Sequence, residues 1–560
     1  MTVGASSTAT AKPQRSSLIR SSMVYSGVTM LSRPLGFLRD LAVTYTMGAS
    51  STFAADAYNT AFAFPNLFRR IFAEGAFAAA FVPAYARALE RDGEEKADVL
   101  AADAMAFLAA ATLALATVCA LAMPWLMMII APGFPPEKYK LAVILTQITI
   151  WYLPSMAIYA HLSGVLNARN RFILSAGAPV LLNVWTLIAV LPTSSPVMAA
   201  QSASVGVLVA GVSQALLLMW GVRRSGAQVH WRWPRMTPDI WALVRRAVPG
   251  AIAGSVFQVN IFISGILVSG VNGARSWLAT ADRLYQLPLG LVGVAIGVAL
   301  LPRLSRAVHA KDAQEAQSTM DEAVTFSMAL TLPAAAALIA IPFILIDGLY
   351  TRGEFTAFDA AQTGRALFFY GLGTPAFVLT QLYSRAFYAR QDTASPMRYA
   401  LISVAVNIVL GVTLVQTVGF QGIAAATAVA SWLNLIQMAA ALGRRGDYLP
   451  GKLAWSRLTR TFLAALALGA LLALAAHFRP QIEAPFAGFH LGRHLVGAKE
   501  IAILLTVTVG AVLYPLFLLG FGGLKLSEVR SALRRQPKGP TLTEEAEADI
   551  GKTPGGPDLL

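Results

Sequence analysis

The residues with the most chemistry to offer stand where the chain is least polar. The stretch "SGVTMLSRPLGFLRDLAV" holds Arg33, Arg39 and Asp40, "FAFPNLFRRIFAEGAF" holds Arg69, Arg70 and Glu74, and "SWLATADRLYQLPLG" holds Asp282 and Arg283. A charge at the centre of a membrane-crossing helix costs about 3 kcal/mol on insertion scales, so such groups face a protein interior or a wet cavity and have a task there. Arg70 and Glu74 are one helical turn apart and can pair. Arg69 projects about 100° away from them around the helix, with no local partner. Counting Arg33, Arg39, Arg69, Arg70 and Arg283 against Asp40, Glu74 and Asp282 leaves an excess of two positive charges. A diphosphate would neutralise that excess, and arginine's planar fork suits phosphate oxygens better than lysine's point charge. The bland alternative is mutual pairing that only locks helices together, Arg39 with Asp40 or Asp56 and Asp282 beside Arg283. The spacing favours the first reading, in which the arginines line a hydrated anionic pocket.

The elements that must position these side chains are membrane helices. Of 560 residues 56% are hydrophobic and 13% charged, against about 25% charged in a soluble domain. The apolar residues come in blocks long enough to cross about 30 Å of hydrocarbon. Those blocks predict an all-α polytopic membrane protein with fourteen spans, near 22–47, 55–84, 99–131, 140–167, 176–193, 199–222, 239–270, 276–301, 320–349, 361–389, 396–418, 420–443, 458–477 and 500–522. Pro34 and Gly36 should kink the first of them, and the backbone groups so freed are tolerable only beside protein or water. Lys and Arg crowd connections such as "RRSGAQVHWRWPR", "PRLSRAVHAK" and "GRRGDYLPGKLAWSR", while "GASSTF", "APGFPPEKYK", "VNGAR" and "YTRGEFTAFDA" alternate with them on the other side. Both termini are therefore expected in the cytoplasm. Residues 1–21 read as a basic tail, and "TLTEEAEADIGKTPGGPDLL" within 523–560 as an acidic tail too poor in bulky apolar residues to fold.

An internal echo organises the rest. "LNARNRFILSAGAP" and "FYARQDTASP" place Arg169 and Arg390 221 residues apart, and Pro65 and Pro288 lie 223 apart in corresponding spans. An even number of helices per repeat makes the two copies parallel, the arrangement that leaves a substrate cavity between lobes. The expected parts are a lobe at 22–223, a second at 239–443, and an added helix pair at 452–522.

Several functions are disfavoured. The net charge of +15 is spread between hydrophobic blocks rather than gathered in one stripe, so nucleic acid is not an expected partner. Cys119 is the one cysteine and sits in "LALATVCALAM", which rules out an intrachain disulfide and reads as a small core residue. No helix pairs histidines, no P-loop is present, and His230, His309 and His490 fall in connections. Neither catalysis nor a metal or cofactor is expected.

The ordered blocks "SSMVYSGVTMLSRPLGFLRD", "DAYNTAFAFPNLFRRIFAEGAFAAAFVP", "ADRLYQLPLGLVGVAIGVALLPRLS", "RGEFTAFDA" and "FYARQDTASPMRY" resemble the bacterial lipid II flippase family MurJ (MviN) of the multidrug/oligosaccharidyl-lipid/polysaccharide exporter superfamily. The likeness runs from about residue 20 to 525, and the PNLFRRIFAEGAF block is its most specific part. It implies fourteen helices, two six-helix lobes around a central cavity, and two C-terminal helices forming a groove for a lipid tail. It implies as substrate the undecaprenyl-diphosphate disaccharide-pentapeptide of peptidoglycan, carried across a bacterial inner membrane, with membrane lipids and cell-wall synthesis proteins as companions. The family's substrate arginines fall on Arg33, Arg39, Arg69 and Arg283. Ser32, Asp40, Asp56, Glu74 and Ser276 accompany them as cavity or gate positions, beside Arg70 and Asp282. Other readings are an exporter of a different polyprenyl-linked glycan and a non-transporting scaffold for wall synthesis. A cation-exporting drug pump should show acidic rather than arginine cavity residues. Asn260 and Asn407 could offer oxygens to a coupling cation.

Overall fold

The computed structural model describes residues 32–72, 76–169, 171–295, 300–488 and 497–523, and among them there is helix but no strand. The first half runs through α1 (32–47), α2 (Ala54–Phe72), α3 (Ala76–Arg91), α4 (Glu94–Ile130), α5 (Pro136–Thr149), α6 (Tyr152–Ala168), α7 (Phe172–Gly177), α8 (Pro179–Val190) and α9 (Pro196–Arg224). The second runs through α10 (Pro238–Leu267), α11 (Ala274–Ala295), α12 (Leu301–His309), α13 (Ala313–Ala340), α14 (Pro342–Tyr350), α15 (Ala357–Ala389), α16 (Ala394–Val418) and α17 (Gly422–Arg444). Then come α18 (Lys452–His477), α19 (Arg479–Glu483) and α20 (Ala498–Gly520).

Local sequence explains the helix starts. Ser195 and Thr237 each precede a proline, and their side chains accept from the backbone N–H groups of Met198 and Ile240, so the cap satisfies an orphan donor where proline has none to offer. Thr356 and Asp359 form a capping box at the start of α15. Among the described residues nine helical units are long and apolar enough to cross a membrane. The other five expected spans, 22–47, 55–84, 239–270, 276–301 and 361–389, are helical wherever described except for a turn at 268–270, and three of them carry the charges at membrane depth. Leu121, Trp125 and Ile129 on α4 are each about two-thirds exposed, an outward apolar face suited to lipid rather than water.

Buried side chains gather half by half. Met123, Met127, Leu145 and Ile150 form one cluster with Tyr58 and Phe64, and Cys119 lies buried within it, as its apolar neighbours suggest. A second cluster joins Phe81, Tyr85, Met105 and Leu218. Leu304, Met328, Leu382 and Phe387 form another in the second half. The helix pair α18 and α20 packs on Ile341 and Ile344, so closely that a β-carbon on Gly348 would lie 1.7 Å from Ile503 Cδ1. Helix α10 does not stay with one half. Ile240 and Leu243 pack with Phe81 and Tyr85, while Leu267 packs against Val268 and Trp277.

The internal echo is realised in three dimensions. Arg169 caps α6 with φ −91°, and Arg390 caps α15 with φ −97°. The Arg171 N–H donates to Leu166 O at 2.8 Å and the Asp392 N–H to Phe387 O at 3.0 Å, the same turn 221 residues later. Asp98 accepts from the Gln228 N–H at 2.6 Å and from Tyr85 Oη. Asp321, 223 positions on, accepts from the Gly451 N–H at 3.3 Å and from Tyr448 Oη. Each half thus pins the connection that follows its last helix with one buried or partly buried carboxylate.

Candidate functional site

A cavity of about 890 Å³ opens between the halves, lined from α1, α2, α3, α6, α8, α9, α10, α11, α15, α16 and α17. Among the described residues its charged lining is Arg39, Arg275, Asp282 and Arg283. Asp40 stands behind them and joins the halves, accepting from Arg39 Nη2 at 2.8 Å and from Arg283 Nη1 at 2.9 Å. Arg39 is largely buried, whereas Arg283 keeps 46% of its side chain exposed, so one of Asp40's two cations remains reachable from the cavity. The Asp282 carboxylate accepts from Gln286 one turn along α11. Tyr285 meets Tyr370 at 4.8 Å and Phe377 at 5.0 Å between ring centroids, giving the second-half wall an aromatic surface. Asn59, Asn66, Gln214 and Gln381 add amides.

One end of this cavity is shut by contacts between the halves. Asp56 on α2 is 1% exposed and accepts four donors: Ser276 N at 2.9 Å, Ser276 Oγ at 2.7 Å, Gly273 N at 2.8 Å and Lys138 Nζ at 2.6 Å. All the acceptor directions of a carboxylate are thereby filled. Lys138 also reaches Asn272 Oδ1 at 3.2 Å and lies over the Phe134 ring. Gly273 adopts φ +87° to present its N–H, a conformation that favours glycine. Beside it, a β-carbon on Gly133 would stand 2.4 Å from Gly270 N, so this pair of loops touches backbone to backbone. Asp359 completes the seal from α15, accepting from Ser50 N at 3.0 Å and Trp277 Nε1 at 2.8 Å.

The expected site residues sort accordingly. Arg39 and Arg283 line the cavity, and of the two acids the sequence offered Arg39, Asp40 and Asp56, it pairs with Asp40. Arg283 has no acid on its own helix face, and its partner Asp40 comes from the other half. The Arg33 guanidinium lies against α11, where a β-carbon on Gly290 would be 2.7 Å from its Nη1. Ser32 offers its backbone carbonyl to Asn183 Nδ2 at 3.3 Å. Asp56 and Ser276 bond each other in the seal. The side chains of Arg69 and Arg70, and Glu74 altogether, lie outside the described residues. Asn407 Nδ2 donates to Asn260 Oδ1 at 3.1 Å, which occupies one of the oxygens offered to a cation. Among the described residues no cluster of three metal-ligating side chains occurs. Sequence reasoning passed over Lys138 and Arg275, both counted as loop residues, and His161, which is fully buried in α6 against Phe81. The available signal for Lys138 was a lysine set between Phe134 and Tyr139, with Asp56 already expected at a cavity or gate position.

Two helical halves around a polar cavity with one closed end define a membrane transporter of the alternating-access kind. The family model described as "Lipid II flippase MurJ" matches residues 43–486, and the chain belongs to that family. A Rhizobium tropici protein described as "Probable lipid II flippase MurJ" is 38% identical over 96% of this chain and 100% of its own length. The "Lipid II flippase MurJ" of Burkholderia cenocepacia is 33% identical over 77% of this chain and 85% of its own. Among solved structures, a lipid II flippase MurJ in an inward closed conformation superposes with TM-score 0.74 at 24% identity, covering 89% of this chain and 98% of that one. An inward-facing multidrug resistance MATE family transporter of the MOP superfamily gives 0.62 at 14% identity over 76% and 99%. These two likenesses concern the fold.

Proposed function

We propose that this chain flips lipid II, undecaprenyl-diphosphate carrying the disaccharide-pentapeptide of peptidoglycan, from the cytoplasmic to the periplasmic leaflet of a bacterial inner membrane. It is a transporter and not an enzyme. The observation that carries the reading is an arginine-bearing cavity between the halves of a MurJ-family chain. Fourteen spans with both termini cytoplasmic put the sealed end on the periplasmic side. In this reading 22–223 and 239–443 are the moving lobes, and 452–522 supplies an apolar groove that keeps the lipid tail in hydrocarbon. Arg33, Arg39, Arg69 and Arg283 receive the diphosphate, while the amides and the Tyr285 aromatic surface suit a glycan.

The geometry gives the cycle a physical form. A diphosphate entering the cavity competes with Asp40 for Arg283 and replaces one carboxylate with two phosphate groups in charge-assisted bonds. That contact removes a tie between the halves and neutralises cations that would repel once the seal opens. Outward opening then requires the Asp56 contacts to Ser276 and Gly273 to part. Substrate can drive this only through better binding to the open state. The test is transport of labelled lipid II in cells depleted of their own flippase: this chain should restore arrival at the outer leaflet. Absence of transport at normal membrane abundance overturns the proposal.

A further inference from the structure

Arg275 stands at the start of α11, beside the seal, and has no part in the cycle just described. It is 9% exposed, it lines the cavity, and its buried Nη1 has no hydrogen-bond partner among the described residues. The guanidinium is pressed against α10, where a β-carbon on Gly265 would fall 2.8 Å from both Cζ and Nη2. Asp56 is the nearby acid, yet its oxygens are already taken by Lys138, Gly273 and Ser276. Lys138 neutralises Asp56, which leaves Arg275 as a surplus buried cation. A buried charge whose donor lacks an acceptor costs several kcal/mol unless something compensates it. An anion in the cavity would supply both the charge and the acceptor.

We propose that Arg275 forms a separate anion subsite at the sealed end of the cavity, taking a phosphate oxygen. This rests on the flippase reading and deepens it. The headgroup's diphosphate would be held between the Arg39 and Arg283 wall and Arg275, next to the contacts that must part for opening. The ligand chemistry is a phosphate-type anion, from the lipid-linked diphosphate or from free anion in the cavity water.

The test uses the purified full-length chain in nanodiscs, titrated separately with undecaprenyl diphosphate and with inorganic pyrophosphate. Arg275→Gln should weaken undecaprenyl diphosphate binding about tenfold, the scale of one charge-assisted contact. Arg275→Lys should weaken it less, since charge survives without the fork. Gly265→Ala keeps the arginine but displaces its guanidinium, and should also reduce affinity. If Arg275→Gln does not fold, the last two variants carry the comparison. Equal weakening for both probes assigns the subsite to any phosphate anion, and weakening for the lipid alone assigns it to the substrate; both support it. Wild-type affinity in all three variants, with only a lowered melting temperature in Arg275→Gln, overturns it and leaves Arg275 as structural ballast for Asp56. Arg283→Ala separates the two proposals: affinity retained there but lost in Arg275→Gln removes the Arg283 assignment and keeps the subsite.

Discussion

The two ends of the helical bundle use buried acids in opposite ways. At the sealed end Asp56 in the first half takes its donors from Gly273 and Ser276 in the second, and Asp359 in the second takes Ser50 from the first. At the other end Asp98 bonds Tyr85 and Arg169 within the first half and Gln228 in the connection that follows it, and Asp321 of the second half bonds Tyr448 and Gly451 in the connection to α18. One arrangement exists only while the halves touch. The other travels with each half as a rigid fitting, which is why it repeats at a fixed offset and the seal does not. Bistability therefore belongs to the Asp56 end, while the Asp98 and Asp321 pins maintain the bodies that move.

Lys138→Met should break this contrast hardest. It strips Asp56 of its bonded counter-ion, a loss of up to about 3–5 kcal/mol, and because Asp56 is buried only while the halves meet and can regain water once they part, the loss falls mainly on the sealed arrangement. With Cys119→Ala as background, a cysteine probe at cavity-lining Ala279 should label with an impermeant maleimide added outside at least tenfold faster in Lys138→Met than without it. Adding Asp56→Asn should partly restore slow labelling, because the two changes share one contact. Unchanged labelling would mean that the seal does not depend on this pair.

Asp98→Asn should act on stability alone. It removes the acceptor charge for Arg169 at 3.1 Å, costing about 1–3 kcal/mol. Immunoblotted membrane abundance should fall while the Ala279→Cys labelling rate stays the same. Asp321→Asn should cost less, since among the described residues no arginine bonds Asp321. Faster labelling in either variant would show that the pins hold the halves together after all.

The smallest effect expected is at Asp392, in the connection after α15. Hydrogen bonds from Ser395, and then from Arg445 at 2.7 Å, hold its carboxyl at about 2, below the usual carboxylate range. A depressed native pKa stabilises the fold above the unfolded value near 3.8 and loses that contribution as pH falls through about 2. Because the pair is largely solvated, Asp392→Asn should lower stability at neutral pH by only about 0.5 kcal/mol. The difference from wild type should vanish in acid, which thermal unfolding at two pH values would check.

What the sequence made legible follows the range over which its signals act. Helices, the repeat and the arginines at membrane depth are local patterns, and hydropathy, spacing and helix periodicity see them. The Arg39 and Asp40 pair is adjacent in sequence and was visible too. Lys138 was not, because its burial is decided by Asp56, 82 residues away. Arg275 in "VNGAR" looked like a solvated loop residue, since nothing local announces that α10 will cover it. Arg283 looked unpaired for the same reason: Asp40 lies 243 residues earlier and reaches it only once the halves meet. Local rules find charges that need partners, and only the fold supplies partners from the other half.

The most direct measurement of the central claim is transport of labelled lipid II by Arg283→Ala, with membrane abundance quantified in the same cells. Asp40 keeps Arg39 as a partner in that variant, so the fold should persist. The account predicts that transport collapses while abundance stays within twofold of wild type, with Arg283→Lys intermediate. Normal transport by Arg283→Ala at normal abundance would contradict it.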